Sequence, residues 1–550
     1  MRLSTAETAV VVPVAGLVAI VLGSYVLDAA GLRFTPTRMF GLAAAAAALS
    51  AVAFTRRAVR SPGDLGLLAM VVGAMLAWLM WLARPDFLPL STGPDLTHHL
   101  ILIRYIEQHW RLVHEPALER YLGEMAQYTP GSHVLTALGG AWSLTSGLRA
   151  LHAVQAGMVA LETGFLLLIG IRLLPGKAPH ALALVGVLLL LAAPRYFLGS
   201  FTEYGFVAQV VAQLFVVAMW WVIVAWDDRP ALSLCLFFGF AGAAAFLTWP
   251  VYIGPPALAF FVVVVARDDL SRATRLRHLA TAAVPIAVFA VAYLVGRLGW
   301  LQLAGTGGAA PWPSVASFSA PLVALSMIGL AVAAMRRRGR ATLVFTAAVL
   351  GQAALFYLLA RRSGAPQPYM ALKMFYLLLR PMAACAVLGV GAAWSAGAPL
   401  AGGPARQTMA AWLLVLSTFV FVSRPLLRHA TPLHPLPPAV SLPLYEAGQW
   451  ALANVPRACV EYLVGDDETA YWLHLAVLGN PRMSDRTGNN ATYEPNEAVM
   501  RWLTPNGLPF AIADLPALSR DVRDELDIVR RFGSAAVVRR RGPSSCEGSP

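Results

Sequence analysis

Thirteen apolar runs, most of them long enough to cross a hydrocarbon layer of about 30 Å, leave this chain one kind of fold. They lie near 8–31, 39–55, 64–84, 151–171, 179–195, 206–226, 231–248, 250–266, 278–299, 316–335, 341–360, 375–396 and 409–424. A chain that is 58% hydrophobic and 13% charged over 550 residues is a polytopic α-helical membrane protein. The net charge of +13 sits mostly in short loops between spans, so it reports orientation and gives no reason to expect a nucleic-acid partner.

Orientation follows from those loops. With the N-terminus in the cytoplasm, alternate loops carry Arg56, Arg57 and Arg60, then Arg172 and Lys177, then Arg229, then Arg267, Arg272, Arg275 and Arg277, then Arg336, Arg337, Arg338 and Arg340, then Arg406. The apolar stretch 134–146 is too short to cross, so it is expected as a short or re-entrant helix. Were it to span, every later Arg cluster would face outward. The first span is too long for a secretory signal and runs straight into a second, so it is expected to be a retained anchor. Cys235 and Cys385 lie in spans; Cys459 and Cys546 stand apart in the tail, where a bridge between them is only weakly motivated.

The transmembrane region is expected to cover 1–425, followed by a Pro-rich linker at 426–440, TPLHPLPPAVSLPLYE marking the change of composition. A small extracytoplasmic α/β domain is expected at 441–540, with helices at 444–454 and 495–503, strands at 459–465, 509–515 and 534–541, and a disordered tail at 541–550. It has no Gly-rich phosphate loop and no metal-spaced Cys/His set, so a structural or acceptor-docking role suits it better than catalysis.

Between the third span and the fourth, residues 85–150 form a polar island. Six of the eleven histidines lie in or just beyond it, with Asp95, Glu107 and Glu115. A helix starting at Pro94 puts Asp95 and His99 at i and i+4, with His98 at i+3, so a carboxylate and an imidazole share a face at the membrane edge. Asp95 is equally a natural helix cap in Pro94-Asp95-Leu96-Thr97.

TGPDLTHHL at 92–100 and YTPGSH at 128–133 resemble the first-loop signature of the GT-C glycosyltransferases, in particular the bacterial members that use polyprenyl-phosphate sugars. APRYFLGSFTEYG at 193–205 is similar to a segment of oligosaccharyltransferase catalytic subunits in which an acidic residue follows a span end. PYMALKMFYLLLRP at 368–381 resembles the Tyr-to-Lys segment at the outer end of a late span. The resemblance covers residues 64–400 in organisation. It implies a GT-C-like fold in the bacterial plasma membrane and transfer of a sugar from a polyprenyl-phosphate donor to a periplasmic or cell-surface glycan, lipid or protein. Two departures stand out: two spans precede the one feeding the loop, and Asp95 has no neighbouring acid.

Such chemistry needs a base for the acceptor hydroxyl, cations for the phosphate leaving group and a dry cavity. Asp95 is the candidate base. His98 and His99 are placed to orient it or the acceptor, and Glu203 is a second acid at an outer membrane edge. Arg361, Arg362, Lys373 and Arg380 are expected to cluster near one outer edge and contact the donor phosphate, though Arg361 and Arg362 also fit as snorkelling anchors. Tyr128, His133 and Tyr369 are candidate substrate contacts, and the Trp249-Pro250 pair is expected to be a helix break. Direct displacement would invert the anomeric centre. The residues single out no particular cofactor, and Asp95, His99, His133 and Glu203 include ligand types for Zn²⁺ or Mn²⁺, which leaves a divalent metal open. Two other classes compete: a flippase or transporter for a lipid-linked sugar, and a non-catalytic cell-envelope assembly subunit.

Overall fold

A computed structural model describes residues 3–55, 61–90, 94–114, 122–174, 178–295, 310–397, 403–428, 435, 436, 438, 440–456, 459–466, 469, 470, 473, 495–504 and 507–541. Among them, nine helices are long and apolar enough to cross a membrane: Thr5–Ala29, Pro36–Phe54, Pro62–Leu82, Gly147–Leu173, Val207–Asp228, Arg272–Val295, Arg337–Arg362, Tyr369–Ala396 and Ala405–Ser423. Four shorter apolar helices, His180–Leu190, Leu232–Phe246, Pro250–Val265 and Ala320–Met335, lie between them in the chain. The long and short helices together match the thirteen expected spans in order. The protein is a multi-pass membrane protein.

Burial sorts these helices by position in the bundle. Val207–Asp228 is buried from Val207 to Asp227, with Trp220, Trp221 and Trp226 along it, whereas Pro36–Thr55 turns Phe40 and Leu49 outward. In water such faces would be a liability; against lipid they are the required surface.

Ion pairs mark one end of the bundle. Arg172 reaches Glu7 at 2.5 Å and Asp228 at 2.9 Å, and Arg340 reaches Asp227 at 2.6 Å. At the other end, Asp28 accepts from the Leu112 amide and pairs with His114, both at 2.8 Å.

The polar island folds onto that second end. It contains the helix Pro94–His109, a 3-10 turn at Gly123–Gln127 and the helix Gly131–Trp142. The last has 12 residues, buried from Gly131 to Leu138, and stops before the Gly147–Leu173 helix begins under its Ser146 cap. At about 1.5 Å per residue it is too short to cross. Gly131 is required at its entry: its amide donates to the Leu247 carbonyl at 2.9 Å, and a Cβ there would collide with the Thr248 hydroxyl. The chain breaks after Phe246, resumes in a turn at Pro250–Tyr252 and continues as Gly254–Val265, which is the break expected at Trp249-Pro250.

Beyond the spans lies a small domain with a four-stranded sheet in the order β1-β2-β4-β3, with β1 at Val460–Leu463, β2 at Phe510–Asp514, β3 at Leu526–Phe532 and β4 at Ala535–Arg540. β1 pairs parallel to β2; the other neighbours are antiparallel. The helix Leu442–Asn454 covers one face, burying Ala447 and Ala451, and Pro495–Leu503 covers the other through Trp502. β3 is not foreseen in the sequence. It is an edge strand with one buried residue, Leu526, so no alternation of apolar and polar residues announces it. Cys459 is disulfide-bonded, while Cys235 and Cys385 are free and buried. Cys546 and the expected tail after Arg541 lie outside the described residues.

Candidate active site

The short helix Pro94–His109 carries His99 to the buried N-terminal turn of the Gly131–Trp142 helix. There His99 Nδ1 lies 2.9 Å from His133 Nε2. Tyr128 stands edge-on to both imidazoles, with ring centroids at 5.2 and 5.7 Å. The turn holding Tyr128 and His133 is pinned to the helix break: the Thr129 hydroxyl donates to the Thr248 carbonyl at 2.8 Å, beside the Gly131 contact. Burial, then the nearby Lys373 and His98 charges, push His99 down to about 3; burial and His99 hold His133 well below the usual histidine range. Both rings are therefore neutral at pH 7.

Lys373, in the first turns of the Tyr369–Gly397 helix, is buried within an aromatic box. Its ammonium lies 4.1 Å from the Phe206 ring centroid, 4.4 Å from Tyr369 and 4.8 Å from Trp249. Each such contact is worth about 0.5–2 kcal/mol to an ammonium in an apolar setting. The Tyr252 hydroxyl donates to the Lys373 carbonyl at 2.7 Å, fixing the helix against the Pro250–Tyr252 turn. Trp249 stacks on Tyr128 at 6.0 Å, which joins the lysine box to the histidine pair.

Glu203, exposed, lies on the adjoining rim. Its neighbour Tyr204 stacks on Phe206 at 5.2 Å and accepts from Arg195 Nη2 at 3.4 Å, the bond that chiefly holds the Arg195 guanidinium above its ordinary value.

Four segments singled out in the sequence thus meet. His99 comes from the segment at 92–100 and Tyr128 and His133 from that at 128–133, Tyr204 from the segment at 193–205 with Phe206 just after it, and Tyr369 and Lys373 from a helix more than 160 residues later. His98 is half-buried beside His99. Asp95 opens the same helix, and its side chain lies outside the described residues.

The four candidate cations do not form one cluster. Arg361 and Arg362 are exposed at the end of their helix, whereas Arg380 is buried two turns below Lys373. Arg380 is committed to Glu162 at 2.5 Å, to Gln213 at 3.0 Å and to the Tyr376 carbonyl at 2.7 Å. Sequence reading overlooked Glu162, although an acid in the middle of a span is itself a signal that a partner must exist. It also passed over Phe206, and it took Trp249 only as a break, because nothing local tells that the break faces a lysine.

The candidate metal ligands are described only in part, since the Asp95 side chain lies outside the described residues. His99 and His133 spend their facing nitrogens on each other rather than on a common point. No group of three His, Cys, Asp or Glu side chains among the described residues could hold an ion.

No family model and no curated protein sequence matches the chain. Solved structures do. ArnT from Cupriavidus metallidurans, bound to undecaprenyl phosphate, aligns over 88% of this chain and 99% of its own, at 14% identity and a TM-score of 0.50. The oligosaccharyltransferase of Archaeoglobus fulgidus aligns over 82% of this chain and 70% of its own in the apo form, at 12% identity and 0.45. Its complex with zinc and sulfate gives 81% and 68%, at 13% and 0.43. The likeness to ArnT concerns the architecture, and it agrees with the resemblance read from the loop motifs: this chain has the GT-C fold.

Proposed function

We propose that this protein is a membrane glycosyltransferase that takes a sugar from a polyprenyl-phosphate donor and passes it to an extracytoplasmic glycan, lipid or protein. The observation that carries the reading is the Lys373 ammonium, ringed by Phe206, Trp249 and Tyr369 beside the neutral His99–His133 pair. A buried cation in a low-dielectric box is suited to the charge that develops on a departing phosphate. The fold neighbour ArnT was solved with undecaprenyl phosphate, which supports a lipid-linked donor.

In this reading the acceptor oxygen attacks the anomeric carbon and its bond to the phosphate oxygen breaks. The bonding pair leaves with the phosphate next to Lys373, and the acceptor proton goes to Asp95. One displacement inverts the anomeric centre. Glu203 and Arg195 lie at the rim, where the acceptor enters, and Arg361 and Arg362, exposed at the end of their helix, are suited to anionic lipid headgroups.

The Arg-rich loops favour a cytoplasmic N-terminus in a bacterial plasma membrane, with the site and the C-terminal domain outside. The disulfide at Cys459 fits an oxidising compartment.

The test is transfer by purified protein in nanodiscs, from a panel of radiolabelled polyprenyl-phosphate sugars to an envelope extract, with wild type beside Asp95→Asn. Label moving to acceptor only with Asp95 intact supports the reading. No transfer from any donor, by a folded protein that binds the lipid, would return the weight to a flippase or an assembly subunit.

A further inference from the structure

Three helices of the bundle carry polar side chains on one face each. These are Gln155 and Glu162 in Gly147–Leu173, Gln209 and Gln213 in Val207–Asp228, and Lys373, Tyr376 and Arg380 in Tyr369–Gly397. Intervals of three, four and seven residues keep each set on a common face. The faces meet. Arg380 donates to Glu162 at 2.5 Å and to Gln213 at 3.0 Å, and the Phe206 ring, at the start of Val207–Asp228, lies 4.1 Å from the Lys373 ammonium and 5.6 Å from the Tyr376 ring. Gly147–Leu173 and Tyr369–Gly397 run parallel, since Glu162 faces Arg380 and Gly170, about two turns on, faces Val387.

The interface therefore has levels, one helical turn apart. At the first, Phe206 packs on Lys373; at the third, Gln213 and Glu162 hold Arg380. Gln209 lies between Phe206 and Gln213 on one helix, and Tyr376 between Lys373 and Arg380 on the other, so both belong to the level between. Gln209 is 2% exposed and Tyr376 fully buried, yet neither atom of the Gln209 amide nor the Tyr376 hydroxyl has a hydrogen-bond partner among the described residues. Gln155 Nε2, two turns before Glu162 and so level with Lys373, is buried in the same condition. Buried polar groups of this kind mark a place that water or a ligand fills. Tyr204, half-buried beside the exposed Glu203 and bonded to the exposed Arg195, stands between this level and the rim, with its ring edge-on to Tyr376 at 6.5 Å.

The unpaired atoms define what fits. Gln155 Nε2 and Gln209 Nε2 donate, Gln209 Oε1 accepts, and the Tyr376 hydroxyl does either. An ionised phosphate only accepts and an ammonium only donates, whereas a hydroxyl does both. Resting on the glycosyl-transfer reading, we propose that Gln155, Gln209 and Tyr376 form the binding site for the donor's sugar, and that this sugar is an uncharged pentose or hexose held by its ring hydroxyls. With the donor phosphate on Lys373, the level of Gln209 and Tyr376 is about 5.4 Å further along, which is the reach of one sugar ring. An amino sugar would set a second cation beside Lys373, and a uronate would set its carboxylate against Gln209 Oε1.

The test compares wild type, Tyr376→Phe and Gln209→Met as full-length proteins in nanodiscs. It reads the thermal midpoint without ligand, and the affinity for undecaprenyl phosphate, bare or carrying glucose, mannose, galactose, ribose, arabinose, glucosamine or glucuronate. Both substitutions nearly conserve volume and remove a buried group that has no protein partner, so the midpoints should hold or rise. Wild type should bind at least one lipid with a neutral sugar at least about tenfold more tightly than bare undecaprenyl phosphate, the gain expected of two or three hydrogen bonds. Each variant should lose most of that gain while binding the bare lipid as wild type does.

A gain kept in full by both variants would overturn the proposal; joined to falling midpoints, it would give the level to structural water instead. A wild type that prefers the glucosamine or glucuronate lipid, or gains nothing from any sugar, would overturn it as well. Wherever label is still transferred from donor to acceptor in these cases, glycosyl transfer stands and this site alone falls. Failure to bind undecaprenyl phosphate in any form would remove both readings together.

Discussion

His99 and His133 lie 34 residues apart and touch at 2.9 Å, and their burial has a consequence in solution. His99 falls from the ordinary histidine value of 6.5 to about 3 in the folded protein, because burial first, and then the nearby Lys373 and His98, oppose its protonation. A depressed histidine binds fewer protons folded than unfolded. Its contribution to stability is complete above pH 6.5 and is lost progressively as pH falls toward 3. Thermal scans in detergent should show a midpoint that drops between pH 7.5 and 5, and a smaller drop in His99→Gln; equal slopes would contradict the assignment. The Arg380–Glu162 pair gives a second prediction. Removing one partner leaves a buried charge, at a cost of about 3–5 kcal/mol, whereas Glu162→Gln with Arg380→Met should recover much of it. A double variant no more stable than Glu162→Gln alone would count against a closed pair. At this scale the sequence showed which residues are unusual for a membrane chain and not which of them meet. The histidines, Tyr369 and Lys373 stood out by type and setting. Trp249 and Phe206 did not, because an aromatic at the end of a span is ordinary and only the fold turns it toward a lysine.

The elements that assemble the site are short, broken or both. A continuous Leu232–Val265 helix would carry Thr248 and Trp249 around its surface; the break at Trp249-Pro250 instead offers the Leu247 and Thr248 carbonyls to the Gly131–Trp142 helix. Gly131→Ala forces a methyl into the Thr248 hydroxyl, and overpacking of this kind costs about 1–3 kcal/mol. Transfer should fall at least about tenfold while the protein remains folded, as read by rate and by size-exclusion profile; an unchanged rate would show that the two elements are not in close contact. Helix identity and order were legible because apolar length and periodicity are local properties. The short 134–146 segment was legible for the same reason, with orientation as the arbiter. β3 was not, since an exposed edge strand of mixed charge has no pattern that distinguishes it from a loop.

At the scale of the whole molecule, the ion pairs around Asp227 and Asp228 occupy one end of the bundle, while the site and the C-terminal domain share the other. The Ser146 and Tyr445 hydroxyls meet at 2.5 Å, and the Leu436 amide donates to the Leu82 carbonyl at 2.8 Å, so the domain rests on the same surface as the polar island. A membrane-impermeant thiol reagent applied to intact cells should label Ala517→Cys in the domain and leave Ala273→Cys, in the exposed Arg-rich first turn of the Arg272–Val295 helix, unlabelled until lysis. The reverse pattern would invert the topology. The charge in the loops is what predicts this sidedness from sequence; the seating of the domain has no such signal, because it depends on hydroxyl and backbone contacts between segments some 300 residues apart. The central claim is that the Lys373 box receives the donor phosphate. The most direct measurement is the affinity of the purified protein for undecaprenyl phosphate, comparing wild type, Lys373→Arg and Lys373→Ala. Binding weakened at least about tenfold in Lys373→Ala and partly kept in Lys373→Arg is the predicted result. Equal affinity for all three folded proteins would contradict the claim.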